Sequence, residues 1–188
     1  MNAPEGNMIT PAEHTLALLL SMSRNIPQAS YALKNRKWAP KEFMGVELFE
    51  KTLGIVGLGR IGSNVAERAH AFKMKIVAFD PYVRQRRAEI LGVELIEMKD
   101  LLERSDFLTL HTPGLADGKP LLGKEQFDQM KPGIRIVNCA RGSLIDDTAL
   151  IEAIQSKKVA RAALDVYHKE PLDLDSPLLQ VDEIICTP

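Results

Sequence analysis

The chain has 188 residues, of which 45% are hydrophobic, 26% are charged and 5% are aromatic. This is the composition of one globular domain rather than of a disordered, fibrous or membrane-embedded protein. The 24 Lys and Arg residues are balanced by 25 Asp and Glu residues, which gives a formal net charge of -1. Because no basic excess exists to attract phosphates, we expect no nucleic-acid partner.

The number of cysteines and the length of the apolar runs indicate the cellular location. Cys139 and Cys186 are the two cysteines of the chain. They are too few for a disulfide framework and lack the spacing of a zinc site, so we expect a reducing, cytoplasmic location and no bound metal. The longest apolar run near the start, residues 16–20, is far shorter than the roughly 20 residues that span a bilayer, and no basic leader precedes it. We expect no membrane partner.

Residues 1–45 have a helical pattern and are predicted to form an N-terminal arm. Thr10 is followed by Pro11 and, three positions on, by Glu13, which predicts a capping box with Thr10 as the N-cap. The first helix should end near Asn25, because the residue before a proline is disfavoured in a helix. Pro27 is expected to open a second short helix, and the simplest role for the arm is packing.

From Lys51 onward, short β-branched runs alternate with segments of helical spacing. This alternation predicts βαβ units and therefore an α/β fold, a doubly wound parallel sheet covered by helices on both faces. The whole chain, 1–188, is predicted to be one domain, with 1–45 as the arm and 46–188 as the core. The predicted strands cover residues 52–56, 75–79, 93–96, 107–110, 134–137, 160–164 and 183–185.

A glycine-rich loop follows the first predicted strand. Gly57, Gly59 and Gly62 have the spacing GxGxxG between a strand and a helix. In this arrangement the first glycine makes a tight turn, the second lets the backbone approach a pyrophosphate, and the third lets the helix pack on the strand. The free N–H groups of the helix then face the anion. The loop predicts a dinucleotide site.

Asp80 ends the second predicted strand, where a carboxylate can accept hydrogen bonds from the adenosine ribose and repel a 2′-phosphate. This favours NAD over NADP. Arg84, Arg86 and Arg87 follow closely. They are either a solvated face or a group that accommodates a 2′-phosphate, and both readings stay open.

Polar residues also follow three later strands, at the edge where open parallel sheets bind ligands. Arg141 follows one of these strands and is suited to hold a carboxylate or keto oxygen, while Glu170 could raise the pKa of a general-acid histidine. The alternative for Arg141 is an ion pair with Asp146 or Asp147. The alternative for Glu170 is simple solvation.

Four stretches together resemble the D-2-hydroxyacid dehydrogenase family, and the match extends over essentially the whole chain. Residues 43–48 and 2–7 are most similar to the branch that oxidises 3-phosphoglycerate with NAD in serine biosynthesis. The resemblance implies an NAD-binding domain of an oxidoreductase with a small 2-hydroxy acid as substrate. The four stretches are residues 52–62, 79–81, 111–113 and 137–171.

The resemblance also implies a role for each matching residue. Arg60 and Ile61 would lie against the pyrophosphate and Asp80 on the adenosine ribose. Arg141 would orient the substrate, and Glu170 would pair with the acid–base histidine. The further expected cofactor contacts are Pro81, His111, Thr112 and Pro113 on the adenosine side, and Cys139, Ala140, Arg141 and Asp165 on the nicotinamide side, with Asp165 bonded to the carboxamide.

One departure from the family concerns the acid–base histidine. In the family it directly follows a Thr-Pro pair, and this chain stops at Thr187 and Pro188. His14, His70, His111 and His168 do not match that position. The family's substrate domain is also absent from this chain, which looks like an excised domain. We expect the chain alone to be inactive.

Two alternative functions stay open, and the resemblance also implies an oligomeric state. An NAD-sensing corepressor shares the fold, and a glyoxylate or hydroxypyruvate reductase shares the chemistry. Family members also dimerise through the arm, which implies a homodimer here. The apolar residues expected at that contact are Leu16, Leu19, Leu20 and Trp38.

Overall fold

A computed structural model describes residues 8–115 and 118–188. Residues 2–7, which carry part of the family resemblance, lie outside the described residues. Helices and strands alternate along the rest of the chain. The helices are α1 (Ile9–Ser23), α2 (Ile26–Lys34), α3 (Arg60–Ala71), α4 (Gln85–Ile90), α5 (Met98–Arg104), α6 (Lys124–Gln129) and α7 (Asp147–Gln155). The strands are β1 (Thr52–Val56), β2 (Lys75–Phe79), β3 (Glu94–Leu95), β4 (Phe107–Leu110), β5 (Ile134–Asn138), β6 (Val159–Leu164) and β7 (Ile184–Cys186).

The strands form one sheet in the order β3-β2-β1-β4-β5-β6-β7, and every pair is parallel. This confirms the predicted doubly wound α/β fold. The strand order reverses between β1 and β4. In open parallel sheets ligands bind at such a reversal, outside the carboxyl ends of the strands.

Apolar side chains cover both faces of the sheet, as expected for strands that are buried on two sides. On β4, Phe107 joins the cluster beneath α1 and α3, and Leu108 joins the cluster beneath α5, α6 and α7. Helix α1 packs directly against α3. The arm is therefore one of the layers of the core rather than an appendage. In the part of the chain that the structure describes, no helix is long and apolar enough to cross a membrane.

The predicted capping box is wrong. Helix α1 begins at Ile9, and its N-cap is Met8, without a side-chain cap bond. Pro11 is thus the third helical residue, where its missing N–H costs nothing because the first-turn N–H groups have no intrahelical acceptor. Glu13 points instead toward Arg68, with 3.6 Å between Oε1 and Nη2. The predicted end near Asn25 and the second helix opened by Pro27 are confirmed within two residues.

Two edge strands differ from the prediction. The strand predicted at 93–96 is reduced to Glu94–Leu95, because it pairs with β2 alone through two residue pairs. The last strand is shifted by one residue to Ile184–Cys186, because its register on β6 starts at Ala162 opposite Ile184. Edge strands have one pairing partner, so an apolar run predicts their ends poorly.

Two leucines of the predicted dimer contact are buried within this chain. Leu16 is 7% exposed and Leu19 is fully buried, and both pack with Val65 of α3 in the cluster of this chain's own core. Leu20 is partly buried against the same cluster. Trp38, by contrast, is 80% exposed. Helical spacing correctly identifies an apolar face, but it does not distinguish a core contact from a subunit contact.

Candidate cofactor-binding site

The candidate site lies along the carboxyl edge of the sheet. Because all strands are parallel, the loops that follow β1, β2, β4, β5 and β6 meet at this edge. The predicted site residues in these loops are therefore brought to one side of the molecule. The adenosine side is formed by the loops after β1, β2 and β4, and the opposite side by the loops after β5, β6 and β7.

Two positions of the loop after β1 require glycine because of backbone conformation and steric fit within the chain. Gly57 has a φ of 93°, and a Cβ there would lie 2.6 Å from the carbonyl oxygen of His111. A Cβ on Gly62 would overlap the carbonyl oxygen of Gly57. The first glycine thus allows the turn, and the third allows α3 to pack against β1.

Gly59 has no such reason to be a glycine. Its φ of −69° suits any residue, and a Cβ built on it meets nothing within 4 Å. The position is open and lies at the N-cap of the 12-residue helix α3. A glycine whose side-chain space is empty is explained by a ligand that approaches the backbone, and a pyrophosphate fits the N–H groups at this helix end. Arg60 and Ile61 begin the same helix.

Asp80 stands beside this loop at the end of β2. Its Oδ2 accepts a hydrogen bond from Leu58 N at 2.8 Å, and its Oδ1 accepts one from Tyr82 N at 2.8 Å. Each carboxylate oxygen keeps a further lone pair for a ribose hydroxyl. The two backbone bonds fix the carboxylate next to the open position of Gly59, and Pro81 continues the chain along the rim.

Arg84, Arg86 and Arg87 border a cavity of about 440 Å³ that also contacts Ser63 of α3. All three side chains are exposed. In the described part of the chain no carboxylate forms an ion pair with them. The carboxylate of Asp80, which precedes them in the chain, is bonded to backbone N–H groups instead.

His111 lies at the end of β4, directly against the glycine loop. Its N–H donates to Val56 O at 2.7 Å, and its Nε2 lies 3.0 Å from Thr109 Oγ1. Burial lowers the pKa of His111 from the ordinary 6.5 to about 4, because a low-dielectric site disfavours the imidazolium. The imidazole is neutral at physiological pH. Thr112 and Pro113 continue from it along the same rim.

Asn138 is a site residue to which the sequence analysis assigned no role. It ends β5 and is 1% exposed. Its Nδ2 donates to Arg141 O at 2.8 Å, and its Oδ1 accepts from Ala140 N at 3.0 Å. These two bonds hold the loop Cys139, Ala140, Arg141 in one shape. A buried asparagine at a strand end, followed by a loop, is a signal that could have identified it.

The loops after β5 and β6 are pressed together. A Cβ on Gly142 would overlap the backbone of Tyr167, so only glycine allows this contact.

Arg141 is exposed, and its Nη1 donates to Ala140 O at 2.6 Å. Asp146 instead caps α7 by accepting from Ala149 N, so the alternative ion pair of Arg141 with Asp146 is not formed, and none is formed with Asp147. Glu170 accepts from Tyr167 N at 3.1 Å.

Asp165 follows β6 and has two side-chain donors. His14 Nε2 lies 2.8 Å from its Oδ1, and Thr187 Oγ1 donates to the same oxygen at 2.6 Å. His14 comes from α1 and Thr187 from the segment after β7. His14 was predicted only not to match the acid–base position, and no local motif indicates that the fold brings it to Asp165, 151 positions away.

Cys139 completes this corner of the site. Burial raises the pKa of its thiol to about 11, so the thiol is neutral at physiological pH. A cavity of about 550 Å³ is bordered by Asp165, Glu170 and Thr187. Its size and its mixture of apolar and charged walls suit a nicotinamide ring with a small substrate.

The other histidines are occupied elsewhere. His168 Nε2 lies 2.8 Å from Ile145 O, and His70 Nε2 lies 2.8 Å from Leu91 O. In residues 8–115 and 118–188, no histidine is hydrogen-bonded to Glu170. His14 is bonded to Asp165.

Comparison with known sequences identifies relatives of the entire chain. Residues 16–188 match the family described as D-isomer specific 2-hydroxyacid dehydrogenase, NAD binding domain. The D-3-phosphoglycerate dehydrogenase of Archaeoglobus fulgidus is 50% identical over 188 residues, which is 100% of this chain and 36% of that protein. The enzyme of the same name from Bacillus subtilis is 47% identical, with 100% and 36% covered. The chain therefore spans about a third of the length of these curated relatives.

Solved structures with the same fold are also dehydrogenases or reductases. A glyoxylate reductase from Paecilomyes thermophila superimposes with a TM-score of 0.91 at 34% identity, covering 98% of this chain and 56% of that one. The D-lactate dehydrogenase of Escherichia coli superimposes with a TM-score of 0.88 at 33% identity, covering 96% and 57%.

Proposed function

The chain belongs to the D-isomer specific 2-hydroxyacid dehydrogenase family, as an NAD-binding domain, and from this premise we propose that it is the cofactor domain of a D-3-phosphoglycerate dehydrogenase. Such an enzyme oxidises 3-phosphoglycerate with NAD to 3-phosphohydroxypyruvate. The observation that carries the binding role is the open position of Gly59 beside the fixed carboxylate of Asp80. The observation that favours this substrate is 50% identity over the whole chain to an enzyme of that name.

The proposed cofactor contacts follow from the two sides of the crevice. The N–H groups at the start of α3, with Arg60 and Ile61, receive the pyrophosphate. Asp80 accepts from the adenosine ribose, which selects NAD over NADP. The other proposed contacts are Pro81, His111, Thr112 and Pro113 near the adenosine, and Cys139, Ala140 and Asp165 near the nicotinamide.

In the proposed reaction, bound NAD supplies the acceptor of the substrate hydride. Arg141 orients the substrate carboxylate and carbonyl, because its guanidinium is exposed at the carboxyl edge of the sheet and forms no ion pair in the described residues. Glu170 pairs with the imidazole that takes the hydroxyl proton and raises the pKa of that imidazole. Asn138 holds the loop that carries Arg141 in place.

The proposed enzyme needs parts that lie outside this chain. Residues 1–188 act as one cofactor domain, in which 1–45 is the arm and 46–188 the core, and other segments supply the substrate domain and the acid–base histidine. We infer that residues 1–188 alone do not turn over, because Glu170 has no imidazole partner in the described residues and a proton-transfer group is needed for the reaction.

A homodimer is part of the same proposal. Leu16 and Leu19 are buried in the chain's own core, so the contact has to be made by other residues of the arm region. Trp38 and Tyr31 are 80% and 73% exposed and offer aromatic area of the kind that interfaces use. Trp38→Ser should produce monomers in sedimentation equilibrium, whereas Tyr82→Ser, at a 93% exposed position outside the arm, should not.

A cytoplasmic location is also proposed, supported by the free thiols of Cys139 and Cys186.

A chimera tests the proposed reaction. This chain replaces the aligned segment of the Archaeoglobus fulgidus enzyme, and the reduction of NAD by 3-phosphoglycerate is followed by absorbance. We expect turnover in the chimera and none in the isolated chain. Arg141→Ala and Glu170→Gln should each lower kcat/KM of the chimera by about 100-fold or more, while Arg36→Ala, at an exposed position of the arm, should leave it unchanged.

Two outcomes would contradict the proposal. One is a folded chimera that binds NADH but does not oxidise 3-phosphoglycerate. The other is turnover that survives both substitutions, since Arg141 and Glu170 would then have no catalytic role. A reductase acting on glyoxylate is the second candidate, favoured by the 34% identical glyoxylate reductase structure, and glyoxylate with NADH is therefore assayed in parallel in the full-length protein.

A further inference from the structure

His14 reaches the nicotinamide side of the site from helix α1, and none of the roles above uses it. We propose that His14 is a positioning residue that holds the Asp165 carboxylate in the orientation in which it receives the nicotinamide carboxamide. The inference rests on the proposed function, in particular on the role given to Asp165. It assigns the arm helix a part in cofactor recognition.

The hydrogen bonds of Asp165 leave one oxygen for a ligand. Its Oδ1 lies 2.8 Å from His14 Nε2 and 2.6 Å from Thr187 Oγ1. A carboxylate only accepts, so both partners donate and the imidazole carries its hydrogen on Nε2. Two donors occupy the lone pairs of Oδ1. Oδ2 forms no hydrogen bond within the described residues, so it is the acceptor left for an incoming N–H group.

A carboxamide NH₂ is a donor that matches this free oxygen. With both bonds to Oδ1 in place, the carboxylate plane cannot rotate without breaking one of them. Asp165 and Thr187 both line the neighbouring cavity, and we infer that Oδ2 accepts from a ligand bound there. Preorganising an acceptor in this way lowers the ordering cost of binding.

Packing does not explain why position 14 holds a histidine. The side chain of His14 is 39% exposed and that of Asp165 is 25% exposed. Helix α1 is anchored by Leu19 and Met22, which are 0% and 1% exposed. Removing the imidazole therefore opens no core cavity and should leave the fold intact.

The test compares two ligands that differ in the nicotinamide ring. The chain is titrated calorimetrically with NADH and with ADP-ribose, which has the same adenosine and pyrophosphate but no carboxamide. His14→Leu should weaken NADH binding by about fivefold to tenfold, while ADP-ribose binding changes by less than about twofold. His14→Gln keeps a donor near the position of Nε2 and should retain most of the NADH affinity.

Three further variants isolate the contact. Thr187→Val removes the second donor to Oδ1 and should produce the same selective loss. In the Asp165→Asn background, His14→Leu should cause no additional loss, because its effect passes through the carboxylate. His70→Leu is the matched control, since His70 is also an exposed histidine with one hydrogen bond, to Leu91 O, and it should change neither affinity.

The outcomes separate this inference from the proposed function. If the wild-type chain binds neither ligand, the binding role itself is wrong. If it binds both but His14→Leu weakens both equally, or weakens neither, His14 does not position Asp165. Equal losses in His14→Gln and His14→Leu would likewise overturn the inference, because the donor would then be irrelevant.

Discussion

The two sides of the crevice are built in different ways. On the adenosine side, the glycine loop, α3 and Asp80 come from one continuous βαβ unit, residues 52–80, and are joined by backbone geometry and short bonds such as Leu58 N to Asp80. On the nicotinamide side, His14, Asn138, Asp165 and Thr187 come from four separate segments. The first side depends on steric fit within one unit. The second depends on the hydrogen bonds of His14 and Thr187 to Asp165, which join distant segments, and on the local bonds of Asn138.

Substitutions in the glycine loop should give the largest effects on the adenosine side and should separate folding from binding. Gly62→Ala places a Cβ against the carbonyl oxygen of Gly57 and should destabilise the chain by about 3 kcal/mol. Gly59→Ala meets nothing and should change stability by less than about 0.5 kcal/mol, yet weaken NADH binding by at least about tenfold. Urea unfolding and calorimetric titration measure the two quantities.

Two results would contradict these predictions. If Gly59→Ala binds NADH as tightly as the wild type, the open space above Gly59 is not the pyrophosphate position. If Gly62→Ala is as stable as the wild type, the close packing of α3 on β1 is not required.

On the nicotinamide side, we expect the corresponding effect when Asn138 is substituted. Asn138→Ala leaves Ala140 N–H and Arg141 C=O without their partners and should destabilise the chain by about 2 kcal/mol. Because the loop Cys139, Ala140, Arg141 then loses its shape, NADH binding should weaken while ADP-ribose binding stays near the wild-type value. Urea unfolding and the two titrations measure these effects.

The control for Asn138 is Asn35→Ala. Asn35 is an exposed asparagine whose Nδ2 donates to Tyr31 O at 2.9 Å, so its loss should cost less than about 0.5 kcal/mol. Equal effects of the two substitutions on stability would show that burial of the Asn138 bonds is not important.

His111 lies where the two sides meet and should make stability depend on pH. Its pKa is about 4 in the folded chain against an ordinary 6.5, so between these values the unfolded chain binds more protons. Stability contributed by the neutral imidazole is therefore complete above about pH 6.5 and is lost as the pH falls toward 4. Between about pH 7.5 and pH 5 we expect a loss of about 2 kcal/mol.

Urea unfolding of the wild type and of His111→Gln at both pH values measures this dependence. The variant should have a shallower pH profile, because glutamine does not titrate. A wild-type profile no steeper than that of the variant would show that His111 is not the group responsible.

The difference between the sides also explains what the sequence could predict. The sheet, the glycine loop and Asp80 were predictable because strand periodicity and GxGxxG are local patterns. His14 and Thr187 were not assigned their roles, because each acts through a bond to a residue that the chain fold brings near. Asn138 acts through local bonds to Ala140 and Arg141, and its buried position at a strand end is the signal that could have identified it. His14 and Asp165 are 151 positions apart, and no spacing rule connects them.

The errors have a similar origin. The capping-box pattern at Thr10 was real, but the helix extended upstream because Pro11 is tolerated anywhere in a first turn. Leu16 and Leu19 do form an apolar face, but the sheet and α3 cover it. A pattern predicts that a face is buried without indicating what buries it.

The measurement that tests the central claim most directly is a calorimetric titration of this chain with NADH and with NADPH, repeated on Asp80→Asn. We predict saturable one-to-one binding of NADH, at least about tenfold tighter than NADPH, and a much smaller preference in the variant. Absence of NADH binding, or equal affinity for the two dinucleotides in the wild type, would contradict the site described at the carboxyl edge of this sheet.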